Sequence, residues 1–360
     1  MKKTVKLWVL LGICAACSTP NKESTPEPIR PKYVTDPVNF DSDDPAIWIH
    51  PNDPAKSLIL GTDKRENSQG GIFVFDLQGK EDSTKRIKNI DRPNNIDITY
   101  GFALDSTQRR DLAIFTERGK KQIRVFSIPN MEPLDNGGIP VFEDSESREV
   151  MGIALYKRAT DDSLFAIVSR KGEGSPSNGY LYQYILYAEG GSIKGKLVRK
   201  FGQFSGGDGE IEAIAVDEKL GYIYYSDELY GIRKYYADPA MGDEQLSLFG
   251  LDGFQEDREG ISIYETSDST GYLLVSDQQA HAFRVFSREG TPDDPHSHEL
   301  IQVLPVQAVE SDGSEVSNLT FNQDFPKGFF VAMSDNKTFE IYDWRDIEKE
   351  LMTPKAEVTK

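Results

Sequence analysis

A run of acidic residues near the N-terminus is suited to binding a cation, and basic residues follow it closely. Asp41, Asp43 and Asp44 lie directly before or at the apolar stretch 45–49, and Lys64 and Arg65 end the next one, at 57–65. Carboxylate oxygens are preferred ligands of Ca²⁺, and Lys and Arg bind phosphate through charge-assisted hydrogen bonds. If polar clusters of this kind meet in space, they form the working site.

The same order of polar cluster, short apolar stretch and turn recurs along the chain. Candidate first strands are residues 45–49, 96–100, 152–156, 213–216, 260–264 and 318–321. Second strands follow at 57–65, 111–118, 163–171, 221–228, 271–278 and 328–336, and third strands at 71–77, 122–128, 179–185, 231–236, 282–288 and 338–344. Units of roughly 50–60 residues with several short strands are typical of propeller blades. The sequence therefore predicts an all-β fold, a single six-bladed β-propeller, because a β-sandwich would not explain this repeat.

The predicted blades place their charged residues on one rim of the ring. In an antiparallel hairpin, the start of one strand lies beside the end of the next. Second-strand ends are basic in three blades, at Lys64, Arg65, Arg118, Arg170 and Lys171, and acidic or amide in three, at Asp227, Glu228, Asp277, Gln278, Asp335 and Asn336. First-strand starts add Asp43, Asp44, Asp97, Glu149, Glu212, Asp257, Glu259 and Asp312. A basic half facing a metal-loaded half would suit a multiply phosphorylated substrate.

So many carboxylates on one rim would raise one another's pKa values and destabilise the fold unless divalent cations were bound. Sites built from oxygen ligands favour Ca²⁺ over Zn²⁺, and the four histidines lie in no paired context. For each single position, the structural alternative is a turn-forming Asp or Asn with a solvated side chain. The sequence predicts several calcium ions as cofactors.

Composition limits the partners. The chain has 360 residues, of which 38% are hydrophobic and 11% aromatic, enough for a substantial core, and its net charge is −18. A surface this acidic argues against nucleic acid, because phosphate backbones need clustered Lys and Arg. We expect a small phosphorylated substrate, no nucleic-acid partner and a monomer.

The N-terminus has the pattern of a bacterial export signal. Lys2 and Lys3 precede the apolar run 5–16, which is shorter than the ~20 residues needed to span a bilayer. Small residues before Cys17 predict lipid attachment there, with ordinary signal-peptidase cleavage as the alternative. We therefore divide the chain into a lipoprotein signal at 1–17, a flexible linker at 18–37, the propeller at 38–348 and a tail at 349–360. The mature protein would be membrane-anchored, in the periplasm or on the cell surface.

Several segments resemble one known family. They are DDPAIW (43–48), GTDKR (61–65), RPNNIDITYGF (92–102), EVMGIALY (149–156), DREGISIY (257–264) and VESDGS (309–314). Together and in this order they resemble the β-propeller phytases, which are calcium-dependent phosphatases acting on myo-inositol hexakisphosphate. The resemblance covers roughly residues 38–345.

The resemblance implies an enzyme of the 3-phytase type, in which a calcium-bound water attacks phosphorus. It implies phosphate-binding roles for Lys64, Arg65, Arg118 and Lys171. It implies calcium ligation by Asp43, Asp44, the Ile96 carbonyl, Glu212, Glu228, Asp257, Glu259, Gln278 and Asp312. Among these, Lys64, Arg118, Lys171, Glu212 and Asp257 would be the catalytic residues.

Two departures from the family pattern predict reduced activity. Met151 stands where the family has a tyrosine, and a thioether is a poor ligand for a hard cation. The segment 314–318 lacks the family's Asp-rich continuation, which leaves Glu315 as a candidate ligand. Two other functions stay open: a calcium-dependent propeller lactonase or esterase, and a non-catalytic phosphate-binding lipoprotein.

Overall fold

Six antiparallel sheets of four strands each make up the structure, a computed structural model that describes residues 27–171, 179–207 and 209–353. Five of these sheets consist of four strands that follow one another in the sequence. The sixth combines the last three strands of the chain with one strand from near the N-terminus. The inner strands of neighbouring sheets contact one another, and those of the first and last sheets also meet, which closes the ring. The predicted all-β, six-bladed propeller is therefore confirmed.

The strands of each blade run from the central channel outwards. Blade one contains Ser42–Trp48, Leu58–Asp63, Gly70–Phe75 and Ile87–Ile90, and blade two Pro93–Ala103, Arg109–Glu117, Gln122–Ile128 and Ile139–Pro140. Blade three contains Glu149–Lys157, Leu164–Lys171, Leu181–Glu189 and Ser192–Phe201, and blade four Ile214–Asp217, Tyr222–Asp227, Gly231–Tyr236 and Ser247–Phe249. Blade five contains Arg258–Glu265, Gly271–Asp277, Ala282–Ser287 and Leu300–Pro305. Blade six contains Ser314–Ser317, Phe329–Ser334, Thr338–Asp343 and the N-terminal strand Tyr33–Val34.

Short helical turns at Pro54–Lys56, Arg118–Lys120, Pro239–Met241 and Gln278–Ala280 interrupt the connections, and an α-helix, Trp344–Leu351, follows blade six. No helix in the described part of the chain is long and apolar enough to cross a membrane. The predicted signal segment and Cys17 lie outside the described residues, so the lipid anchor stays a prediction.

The N-terminal segment closes the ring, which differs from the predicted linker at 18–37. Tyr33 and Val34 pair with Ile341 and Glu340, and the Ile29 N–H donates to the Pro305 carbonyl at 2.8 Å. Residues from Ile29 onwards therefore belong to the fold rather than to a tether. At the other end, the helix Trp344–Leu351 continues past the predicted domain boundary at 348.

The predicted inner strand of blade six, residues 318–321, is wrong. The strand is Ser314–Ser317, whose residues alternate between buried and half-buried. All four residues of this strand line the channel, and three of them are polar. The strand therefore lacks the apolar composition by which strands are recognised in a sequence. The apolar stretch that replaced it in the prediction is a loop in which Leu319 is exposed and Phe321 packs against Phe329.

Apolar side chains fill all six gaps between neighbouring blades. Both faces of every sheet are covered, because sheets arranged radially bury each face against the next blade. Aromatic contacts span these gaps, such as Phe142 with Tyr182, whose ring centroids are 4.5 Å apart. Trp344 stacks on Tyr264 and fixes the C-terminal helix between blades five and six.

Hydroxyl groups attach each of four blades to the next one near the rim. Thr116, Ser169, Ser226 and Ser276 sit near the ends of second strands and donate to the carbonyls of Met151, Ile211, Glu259 and Ser311, at 2.5–3.1 Å. We call these four bonds the hydroxyl latches. Close contact between blades is also needed at Gly152, where a Cβ would lie 1.7 Å from the Glu212 carbonyl oxygen. The latches thus fix the backbone beside the charged rim.

Candidate active site

Acidic side chains from opposite sides of the ring meet at one end of the central channel, around Asp43, Asn94 and Glu212. We call this end the mouth. Asn94 of blade two donates its amide Nδ2 to Asp43 Oδ2 at 3.2 Å and to Glu212 Oε1 at 2.9 Å. Asp43 begins blade one, whereas Glu212 precedes the inner strand of blade four. All three side chains are at least nine-tenths buried. Asp43 and Glu212, two predicted metal ligands that are 169 positions apart in the chain, therefore bond to the same Asn94 amide group.

Lys64 is held between carboxylates of blades one and six. Its Nζ lies 2.6 Å from Asp43 Oδ1 and 3.4 Å from Asp312 Oδ2. Burial alone would lower the pKa of Lys64, but Asp43, Glu212 and Asp312 outweigh it and raise the pKa above its usual range. Lys64 is therefore a fixed cation within the acidic mouth.

Among the described residues, three glutamates bring their carboxylates close enough together to share a metal ion. Glu210, Glu212 and Glu228 each place one oxygen so that the three atoms lie within 4.8 Å of one another. Burial, followed by the charges of Glu212 and Asp257, raises the pKa of Glu228 to about 9. Burial and Asp43 likewise raise the pKa of Glu212. The separation of these oxygens matches what a Ca²⁺ ion with ligands at roughly 2.3–2.6 Å requires.

Blades five and six extend this group. Asp312 accepts the Gln278 Nε2 donor at 2.5 Å, and Asp257 accepts the Gln279 Nε2 donor at 2.6 Å. Burial raises the pKa of Asp312 to about 8. Glu259 is 6% exposed, its pKa is raised well above its usual range by burial and by Glu228, and its Oε2 has no partner among the described residues.

Below the mouth, acidic residues continue along the channel. The Ile96 N–H donates to Asp44 Oδ2 at 2.9 Å, so these two predicted ligands are in contact. A cavity of about 350 Å³ begins there and is also lined by Asp97, Glu218 and Glu315. Burial and Asp97 raise the pKa of Glu315 to about 8. Glu315, the candidate replacement ligand, thus lies in the channel with Asp97 rather than beside Asp312 on the rim.

The basic residues lie around the other side of the mouth. Arg118 donates Nε and Nη2 to Glu149 Oε2 at 3.2 and 3.1 Å, and Lys171 forms an ion pair with Glu210. Arg65 is exposed and lies over the Phe40 ring, 5.2 Å from its centroid. Burial and the charges of Arg118 and Arg92 lower the pKa of Lys171, which indicates that these cations are grouped.

Arg92 is a further basic residue beside Arg65 and Arg118, and it was not among the residues predicted to bind phosphate. Its N–H donates to the Arg65 carbonyl at 2.8 Å, and its carbonyl accepts from the Arg118 N–H at 3.0 Å. Its φ of 54° is left-handed, a conformation that a non-glycine residue adopts only when its surroundings enforce it. In the sequence, the signal for this role is the basic residue that begins the RPNN segment.

The side chains present fit calcium. The donors are oxygens from carboxylates and amides, the kind of ligand that hard divalent cations prefer. Three buried oxygens, Glu259 Oε2, Asn94 Oδ1 and Asn95 Oδ1, have no partner among the described residues, and a bound cation would satisfy such acceptors. Glu212, Glu228 and Glu259, all predicted calcium ligands, are residues here that would hold such an ion.

A model of the family described as Phytase matches residues 5–353, almost the whole chain. The chain belongs to the phytase family. It is 28% identical over 341 residues to the 3-phytase of Bacillus subtilis (strain 168), a match that covers 88% of this chain and 84% of that relative. The hydrazine synthase of Kuenenia stuttgartiensis has a similar fold, with a TM-score of 0.51, 15% identity, and coverage of 90% of this chain and 98% of that one. That likeness concerns the fold alone.

In this phytase-family chain, two of the acidic residues predicted at second-strand ends form ion pairs inside their own blades. Asp227 pairs with Arg233, and Asp277 pairs with Arg284, each at 2.8 Å. Each aspartate also accepts a backbone N–H from the loop before its blade, Asp227 from Ser205 and Asp277 from Gln255, and neither faces the mouth unpaired. The residues one position later, such as Lys171 and Glu228, are the ones that carry the difference between the two halves.

Proposed function

We propose that this phytase-family protein is an exported, calcium-dependent phosphomonoesterase that hydrolyses phytate to lower inositol phosphates and inorganic phosphate. The observation that carries the proposal is the contact between the two halves of the mouth. Lys64 pairs with Asp43 and Asp312, and Lys171 pairs with Glu210. Cations that would bind phosphate therefore lie against the carboxylates that would bind metal. The relationship to a 3-phytase supports phytate as the substrate.

The residues have separable roles in this proposal. Lys64, Arg65, Arg118 and Lys171 bind and orient phosphate groups, because charged donors form short hydrogen bonds with phosphate oxygens. Arg92, whose backbone bonds to those of Arg65 and Arg118 and whose guanidinium pairs with Glu66 at 2.8 Å, adds a further cation near them. The carboxylates Glu212, Glu228, Asp257, Glu259 and Asp312, with Asp43 and Asp44, hold calcium. When bound, calcium supplies positive charge to the phosphoryl oxygens and lowers the pKa of water for attack on phosphorus.

The test is phosphate release from phytate by the chain without its signal segment, first with calcium and then with a chelator. We expect release that requires calcium. A protein that melts cooperatively but releases no phosphate at any calcium concentration would refute the enzyme and favour a binding protein. Hydrolysis of a lactone at a rate unaffected by Lys64→Ala would favour a lactonase instead.

Met151 offers a separate test of the metal region. It is 1% exposed, and its carbonyl accepts the Thr116 latch directly before Gly152, which contacts the Glu212 backbone. We expect Met151→Tyr to lower the calcium concentration needed for half-maximal phosphate release by about 10-fold, because a hydroxyl is a hard ligand. Met151→Phe is the matched control for size. Equal calcium midpoints for the two variants would mean that this position does not contact the metal region.

A further inference from the structure

Glu210 was not among the residues predicted from the sequence, yet it lies between the two halves of the site. Its carboxylate is one of the three that place oxygens within 4.8 Å of one another, together with Glu212 and Glu228. The same carboxylate forms the ion pair with Lys171, a predicted phosphate ligand. One side chain thus contacts a metal-binding group and a substrate-binding cation.

The backbone fixes Glu210 in this place. Its N–H donates to Glu228 Oε2 at 2.7 Å, and its carbonyl accepts from the Glu228 N–H at 3.3 Å. These two bonds hold the glutamates side by side whatever partner the Glu210 carboxylate has. The Glu210 side chain is 19% exposed, against 46% for Lys171, so the lysine is the partner with more freedom to move.

From this geometry we propose that Glu210 is a calcium ligand and that Lys171 competes with calcium for it. A cation bound at the three glutamates neutralises the Glu210 carboxylate in place of Lys171, which is the more mobile partner. The released lysine is then available to a phosphate group of the substrate. Calcium binding and phosphate binding are coupled through this exchange, and each favours the other. The inference rests on the proposed function in taking calcium as the cation and phosphate as the anion.

Arg118 provides an internal comparison. It pairs with Glu149, whose side chain is 52% exposed and is not part of the three-glutamate group. Loss of the Glu149 charge would free Arg118 without removing a metal ligand. The two ion pairs differ in exposure and in the type of cation, but the difference that matters for calcium is that only Glu210 belongs to the three-glutamate group.

The experiment compares Glu210→Gln with Glu149→Gln in two measurements. Calorimetry gives the calcium affinity, and binding of myo-inositol hexakissulfate in excess chelator gives the anion affinity without hydrolysis. We expect Glu210→Gln to weaken calcium binding by about 10-fold or more, because even loss of a residue that only supports a metal ligand has a cost of that size. In chelator it should bind the hexasulfate more tightly than the unmodified protein, because Lys171 is free. Glu149→Gln should also tighten hexasulfate binding but leave calcium affinity unchanged.

Further variants show whether the effects arise as proposed. Glu210→Asp keeps the charge on a shorter side chain and should give an intermediate calcium affinity. Lys171→Ala combined with Glu210→Gln should lose the gain in hexasulfate affinity. Unchanged calcium affinity in Glu210→Gln would refute the ligand assignment, and unchanged hexasulfate binding in chelator would refute the competition. Both measurements are independent of phytate hydrolysis, so failure of the proposed function would be seen separately.

Discussion

Replacement of Lys64 by alanine is expected to lower kcat/KM for phytate by about 10²–10³-fold, the usual cost of removing one positioned charge from a site of this kind. Lys64 lies within the acidic mouth, with Nζ 2.6 Å from Asp43 and 3.4 Å from Asp312. Without it, substrate phosphate would meet carboxylates with one compensating charge fewer. Initial rates at saturating calcium, over a range of phytate concentrations, measure the effect.

The same substitution should act in the opposite direction on the metal. Removal of a cation beside Asp43 and Asp312 is expected to strengthen calcium binding, which calorimetry would show. Lys80→Ala is the matched control, because Lys80 pairs with Asp36 at 2.9 Å, its side chain is 72% exposed, and it is not part of the mouth. Equal losses of activity in both variants, or weaker calcium binding in Lys64→Ala, would contradict the assigned role.

Removal of calcium should destabilise the protein strongly at high pH and only slightly at low pH. Burial and neighbouring charges raise the folded-state pKa of Asp312 to about 8 and that of Glu228 to about 9, whereas unfolded Asp and Glu titrate near ~4. The folded protein thus keeps protons that the unfolded chain has released. Stability from these groups is present below pH ~4 and is lost as the pH rises through about 8–9.

Melting curves at pH 5 and pH 9, with calcium and with chelator, test this dependence. We expect the calcium-induced rise in Tm to be larger at pH 9 by about 10 °C or more, since each retained proton corresponds to ~1.4 kcal/mol per pH unit. Burial lowers the pKa of His298 to about 4 and that of Lys234 to about 8, which favours stability at higher pH. These groups act equally with and without calcium, so the difference between the two curves isolates the mouth.

Glu259→Gln separates repulsion from ligation. Glu259 is buried, and its Oε2 has no partner among the described residues, so its negative charge is poorly compensated. The glutamine should raise Tm in chelator at pH 9 and reduce the gain that calcium provides. A calcium-induced gain that is the same at pH 5 and pH 9 in the unmodified protein would refute the account.

Most blades were predictable because their strands follow simple patterns. The second and third strands are aromatic or β-branched runs bounded by turns, and all twelve of them occur within a few residues of the predicted positions. The rim followed from the antiparallel geometry alone, and it brought Asp43, Glu212 and Lys64 together as expected. Local pattern and pairing geometry were sufficient for these features.

The predictions were wrong where the surroundings of a segment in the fold, rather than its own hydrophobic pattern, determine its structure. Ser314–Ser317 lines a polar channel and lacks the apolar residues by which strands are recognised. Tyr33–Val34 is two residues long and pairs with a strand more than 300 positions away, which no local signal reveals. Glu210 lies in a Gly-rich segment that resembles a turn. In the sequence it therefore cannot be distinguished from a solvated acidic residue in a turn.

The hydroxyl latches make the rim variable without disturbing the scaffold. Thr116, Ser169, Ser226 and Ser276 hold the blades through side chains that are separate from the charged ones. Two positions after these hydroxyls the chain carries Arg118, Lys171, Glu228 and Gln278, four different side chains at one structural place. Because each latch bonds a backbone carbonyl of the next blade, we expect the rim residue beside it to be replaceable without loss of the fold. Substrate preference would then change through single rim positions, one blade at a time.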